Sequence, residues 1–259
     1  TDVKVLAHTH NVVDGKCGCG LQFEAMITDA ENSSKFYAKL ADAAAAMKDG
    51  ETLTLLADVD VSSIADGLVF GHNNTTFDLY GHKLYSSTKL PYAITAILNI
   101  DVDMVNVTLK NGTIETDQAA YAIAVSGADG HLTLDNVTAT ATEKAEYGAV
   151  YLSGRAAATI VSGDYQGLFL DPNATAVLKG GTFRPYAQGG HSIFHQLDNS
   201  GFSSRDCMEL LDEGCVYENE AGGQVRTYGG FDYTVMVKKV TAQPAEAVAM
   251  IGDKMYSSL

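Results

Sequence analysis

The sequence predicts an all-β protein, a parallel β-helix (solenoid) with an N-terminal capping α-helix. Three observations predict it: an eight-residue unit that recurs along the chain, a second short strand that recurs with the same period, and a single long helical pattern that precedes both. A strand, a corner, another strand and a return at about 20–30 residues per repeat describe one turn of such a solenoid. An antiparallel sandwich also uses short strands, but it would join long alternating strands by Asn-Gly or Asp-Gly hairpins. Asn111-Gly112 and Asp129-Gly130 hint at these, and the first already sits at the corner of the repeat.

Taken in order, residues 1–30 form a leader containing His and Cys. Residues 31–50 read as the helix: Asn32, Ser33 and Ser34 offer N-caps, Phe36, Leu40, Ala43 and Met47 share one face, and Gly50 is a natural stop. Its place suits a cap, because an uncovered solenoid end exposes apolar columns and unpaired strand edges. From Thr52 the texture changes to short β-rich runs punctuated by Gly, Asn and Asp.

The unit reads Phe77–Leu84, Val107–Ile114, Leu132–Ala139, Ala158–Tyr165 and Ala176–Phe183. Its third position is aliphatic (Leu79, Leu109, Leu134, Ile160, Leu178), and its fifth is small or polar (Gly81, Asn111, Asn136, Ser162, Gly180). Bulky residues return at the eighth: Leu84, Ile114, Tyr165 and Phe183, with Ala139 the exception. The second strand aligns on Ile94, Ile123, Val150 and Leu168. Capping helix and repeats thus occupy 31–198, a C-terminal cap or fold-back segment 199–241, and 242–259 a linker. The last residues, Lys254-Met-Tyr-Ser-Ser-Leu259, restate Lys35-Phe-Tyr-Ala-Lys-Leu40, so the linker is expected to run into the capping helix of a next module.

Composition bounds the function. A net charge of −15 disfavours nucleic acid and anionic membrane surfaces, which need a basic face. No run of about 18 apolar residues exists, so no helical membrane insertion is expected.

The runs Lys35–Leu40, Asp49–Leu56, Phe77–Leu84 and Val107–Ile114, with Leu210-Leu-Asp-Glu-Gly-Cys-Val-Tyr217 and Tyr233–Lys238, resemble right-handed parallel β-helix modules of pectate-lyase-like fold. Such modules occur in large surface proteins of Gram-positive gut bacteria. The resemblance implies an extracellular, cell-surface or cell-wall location, adjacent modules in the same polypeptide, and a host protein, such as an immunoglobulin, or a host glycan as partner. It specifies architecture far better than activity. It also bears on two cysteines. Cys215 stands where related modules tend to carry Tyr, and a matching change at Cys207 implies a disulfide between them, closing a loop of about eight residues.

Two further sites come from the residues. His8, His10, Cys17 and Cys19 are four candidate ligands for a structural zinc. Cys-x-Cys is tighter than the usual zinc spacing, and a flexible leader with free or disulfide-linked thiols is the alternative. On the second strand an outward column runs Thr95, Ala124, Tyr151, Phe169, and the aromatic pair Tyr151 and Phe169 is a candidate ligand contact unless residues 190–240 fold over it.

A polysaccharide lyase or glycoside hydrolase on this scaffold would need stacked carboxylates with a nearby base. The outward columns of the unit are Asp78, Thr108, Thr133, Thr159, Val177, then Tyr80, Lys110, Asp135, Val161, Lys179, then Lys83, Thr113, Thr138, Asp164, Thr182, and none stacks two carboxylates. Arg155 is a candidate base without a partner acid. The expectation is therefore a non-catalytic binding module of a cell-surface adhesin, with no cofactor other than the zinc considered above. A β-helix enzyme and a structural spacer are the alternatives.

Overall fold

A computed structural model describes residues 12–13, 15–64, 68–86, 96–100, 103–116, 121–141, 148–186, 190–198, 203–240, 249–251 and 254–256. The protein is all-β, built on two large sheets in which the repeat strands run parallel. The smaller sheet has six strands, all parallel: Leu68–Val69, Ala96–Ile100, Tyr121–Val125, Val150–Leu152, Leu168–Leu170 and Ile193–His195. The larger sheet is parallel through its repeat strands and antiparallel at both ends. Ala25–Thr28 pairs antiparallel with Thr52–Leu55 at one end, and Val235–Lys239 with Gly181–Arg184 at the other.

Register follows the repeat, with two corrections. In the larger sheet Leu109, Leu134, Ile160 and Leu178 are neighbours as expected, but the residue beside Leu109 is Phe77, not Leu79. At the other end of the unit Leu84 does pair with Ile114. The first unit therefore has a longer corner, which Tyr80 (φ 50°) and Gly81 (φ 84°) turn, while Leu79 remains buried. In the next two units the corner is a single left-handed residue, Asn111 (φ 59°) or Asn136 (φ 55°), inside one continuous strand, Asn106–Thr116 or His131–Ala141. Asn tolerates this conformation better than other residues with a Cβ, which is why it recurs there. These corners are also laced together: the Asn136 amide donates to Asn111 Oδ1 at 3.3 Å, and the Asn111 amide to Asp78 Oδ1 at 3.2 Å.

The second correction concerns the smaller sheet. Leu98, not Ile94, lies beside Ile123; Ile94 and Thr95 lie outside the described residues. Alternation then gives the core: Leu98 and Ile100, Ile123 and Val125, Val150 and Leu152, Leu168 and Leu170 are all buried. They join the Phe77 to Leu178 column and the Leu84, Ile114, Ala139, Tyr165, Phe183 column in one apolar cluster.

The helix expected as a cap over 31–50 is much shorter than that. Only Leu40–Ala46 is helical, and Ser34–Tyr37 is a strand paired antiparallel with Ala25–Thr28. Of the residues read as N-caps, Asn32 and Ser33 lie in the turn of that hairpin and Ser34 opens its second strand; in the turn Asp29 Oδ1 accepts from the Glu31 and Ser33 N–H groups and Asn32 is left-handed. Turns and helix N-termini use the same side-chain-to-backbone chemistry, so the sequence did not separate them. The helix start is satisfied from a distance: Glu24 Oε2 accepts from the Leu40 N–H at 2.8 Å, and Glu24 Oε1 from Lys39 Nζ. Leu40, Ala43 and Met47 are buried as the helical face required, whereas Phe36 lies in the strand against Phe23. Lys254–Tyr256, expected to open a helix, is also a strand.

Candidate functional site

The outward face of the larger sheet, next to the N-terminal hairpin, carries an open cleft of about 460 Å³. Its floor is one row across four paired strands, Phe36, Met26, Thr54 and Asp78. Strand alternation sends their neighbours inward, so this row faces out. One wall is Val12 and Val13, from the two-stranded pairing of Val12–Val13 with Lys16–Cys17. Gly15 fixes that hairpin on the body. It is left-handed (φ 71°), and a Cβ there would fall 2.6 Å from the Phe23 carbonyl oxygen and 2.7 Å from that of Leu56.

The opposite rim is the long corner of the first unit. Tyr80 is 66% exposed there, and its N–H donates to Asp78 Oδ1 at 2.9 Å. Asp78 also pairs with Lys110 Nζ at 3.4 Å, and His82 Nδ1 lies 3.5 Å from Asp58. The cleft is thus mostly apolar, with an exposed phenol, an imidazole and a carboxylate at one side. Its size and composition match small-ligand and side-chain pockets, and an exposed tyrosine ring offers both a face for stacking and a polar tip.

The sites expected from sequence are distributed elsewhere. His8 and His10 lie outside the described residues. Cys17 is buried and its Sγ accepts from the Cys19 N–H at 3.4 Å, while Cys19 is exposed. Among the described residues no group of three or more His, Cys, Asp or Glu is placed to hold a metal.

The bridge expected between Cys207 and Cys215 is not formed; both are free, buried thiols. Each sulfur faces its own acceptors, Cys207 Sγ beside Ser204 Oγ and the Arg205 carbonyl and Cys215 Sγ toward the Lys179 carbonyl. Burial pushes the Cys207 thiol up to about 11. Cys207 is therefore expected to resist alkylation at pH 8 in the folded chain, and added reductant to leave the melting midpoint unchanged. A fall in midpoint with reductant would restore the bridge.

Tyr151 and Phe169 are neighbours as expected, but they belong to a stack. Tyr121 lies on Tyr151 at 4.5 Å, Phe169 beside Tyr151 at 5.7 Å, and Phe194 on Phe169 at 5.3 Å. Phe169 is only 4% exposed and so presents no face to a ligand. Tyr151 is half-buried, with its hydroxyl donating to Asp171 Oδ1. Such aromatic pairs contribute about 0.5–1.5 kcal/mol each beyond burial, so the column reads as a packing device.

Arg155 has a partner after all. It forms a bidentate pair with Asp129 (3.1 and 2.7 Å), whose carboxyl it holds below the usual range, and Arg184 grips Asp164 in the same way. Both pairs link adjacent repeats on the exposed surface. In the row Asp78, Lys110, Asp135 a lysine separates the two carboxylates.

His195 is buried, packed among Pro172, Ala174 and Arg205. Burial first, then Arg205, holds it below the ordinary imidazole range, and burial does the same at His131. The unfolded chain takes up protons as pH falls below about 6.5 while these folded imidazoles stay neutral. Stability is therefore full above that pH and is lost as pH falls from it toward the folded values. Thermal melts are expected to show a lower midpoint at pH 5 than at pH 7.5, with a shallower drop in His195→Gln; an equal drop would exclude His195.

Comparison with known proteins finds no matching family model, no matching curated protein and no matching solved structure.

Proposed function

We propose that this chain is a non-catalytic binding module whose two parallel sheets are faces of one right-handed β-helical solenoid, and whose ligand enters the cleft beside Tyr80. The solenoid reading is supported by the alternation of strands between the sheets: Tyr121–Val125, then His131–Ala141, then Val150–Leu152, then Ala157–Ile160 and Gly163–Gln166, then Leu168–Leu170. Right-handedness is what parallel crossovers adopt almost without exception. The binding reading is carried by one observation, the open cleft with Tyr80 standing exposed in a left-handed conformation. An L-residue other than Asn or Gly held there costs roughly 1 kcal/mol or more, and an exposed ring repays nothing in packing.

In this reading the module belongs to an extracellular bacterial surface protein of several modules, and the ligand is a host glycan or a side chain of a host protein such as an immunoglobulin. The cationic side chains Arg155, Arg184 and Lys110 on the repeat surface each hold a single carboxylate of this chain, which suits structural cross-links between repeats. Retention of mucin glycopeptides and of immunoglobulin on the immobilised chain tests the proposal. Tyr80→Ala is expected to lower retention at least about tenfold, the loss of roughly 1.4 kcal/mol, while leaving the melt intact. If neither probe is retained, or if the variant binds as well as the parent, the reading fails.

A further inference from the structure

The C-terminal strands Ala249–Ile251 and Lys254–Tyr256 pair antiparallel, with Ala249 opposite Tyr256, Met250 opposite Met255 and Ile251 opposite Lys254. The N-terminal hairpin pairs Ala25 with Tyr37, Met26 with Phe36 and Ile27 with Lys35. These are the same residues in the same register, differing only where Phe36 stands against Met255. The sequence match noted above covered only the second strand of each hairpin. The pairing extends it to the first, Ala-Met-Ile in both, and Leu259 then falls where Leu40 falls after the tyrosine.

The other edge of Ala25–Thr28 pairs with Thr52–Leu55, placing Ala25 opposite Leu55 and Ile27 opposite Leu53, and all four are buried. The hairpin thus terminates the parallel stack by offering it an antiparallel strand. The C-terminal copy forms a sheet of two strands only, so among the described residues the corresponding edge of Ala249–Ile251 has no partner. An open edge with a matching sequence and register is a template for one more strand.

We infer that residues 249–256 are a second end-cap of the same kind, and that the edge of Ala249–Ile251 takes the first strand of a further module, a strand of the Thr-Leu-Thr-Leu type seen at Thr52–Leu55. A free second copy of this chain is a poor occupant, because its own Thr52–Leu55 is already covered. The inference rests on the modular part of the proposed function and not on its ligand. The two tests read different quantities, stability here and retention there, so either can fail alone.

The test replaces residues 25–37 of the full chain by the sequence of residues 249–256. The graft is expected to melt cooperatively within about 5 °C of the parent and to keep hydrogen-exchange protection at Thr52–Leu55. The same segment replaced by Gly and Ser at equal length is expected to melt about 10 °C lower and to lose that protection. A graft that melts no higher than the Gly/Ser chain overturns the inference. So does concentration-dependent dimerisation of the parent that is abolished by deleting 249–256, since it would assign the edge to exchange between copies.

Discussion

Gly163→Ala is expected to destabilise the fold by about 4 kcal/mol, lowering the thermal midpoint by roughly 10 °C. Gly163 has φ 136°, a conformation closed to residues with a Cβ, and it lies directly beside Val137 in the adjacent repeat. A Cβ there would run into the Val137 carbonyl oxygen and would fall 2.5 Å from the Tyr165 hydroxyl. Neither neighbour can yield. The carbonyl belongs to a continuous strand, and the Tyr165 ring is fully buried, stacked on Phe183 at 5.5 Å, with its hydroxyl donating to the Ser162 carbonyl at 2.7 Å. Gly154→Ala is the control. That glycine is also left-handed, at φ 60°, but a Cβ on it would meet nothing within 4 Å. Only the backbone term of about 1 kcal/mol remains there. Denaturant titrations of both variants should therefore differ by roughly 3 kcal/mol; equal losses would show that φ alone, and not the contact between repeats, sets the cost.

The same corner shows what the sequence conveys. The aliphatic column Leu109, Leu134, Ile160, Leu178 was legible because inward side chains must be apolar at every level, so the pattern repeats residue for residue. The first unit slipped because its corner is longer: Phe77 and Leu79 are both buried, and either satisfies an aliphatic or aromatic third position. Residues 31–50 read as one helix because apolar residues at spacings of three and four are also compatible with a strand followed by a short helix. What settles the matter is long-range: the pairing of Lys35 with Ile27 and the capping of Leu40 by Glu24.

The cleft is the least legible feature in the sequence, since its floor takes one residue from each of four strands that only the long-range pairing of Ala25–Thr28 with Thr52–Leu55, and of that strand with Thr75–Asp78, sets side by side. One signal was available. In the fourth column of the unit Tyr80 is the only aromatic, against Lys110, Asp135, Val161 and Lys179. The pair Tyr151 and Phe169 carries the same chemical signal in the sequence, but exposure depends on what packs beside a residue. Phe194, which the repeat did not assign to that column, buries it.

Tyr217→Ala is expected to cost about 3–5 kcal/mol, comparable to Gly163→Ala, in the antiparallel strands that close the same end of the larger sheet. Tyr217 is 0% exposed on the strand Cys215–Asn219, which pairs with Val235–Lys239, and that strand in turn covers the last repeat strand Gly181–Arg184. Its ring packs on Phe231 at 4.7 Å, and its hydroxyl donates to the Cys207 carbonyl at 2.9 Å, tying the strand to the short turn of helix at Cys207–Leu210. Burial raises the phenol well above its ordinary range, which keeps it protonated and a donor at neutral pH. Tyr217→Phe separates the two contributions. It keeps the ring and removes one hydrogen bond, leaving a buried carbonyl unpaired, for a cost of about 1–2 kcal/mol. If the antiparallel strands at this end shield the stack as the register implies, Tyr217→Ala should raise hydrogen exchange in Gly181–Arg184 as well as in its own strand, while Tyr217→Phe should not. Exchange confined to Cys215–Asn219 in the alanine variant would mean that the last repeat is stable without its cover, and that the antiparallel end is an ornament on the stack instead of its closure.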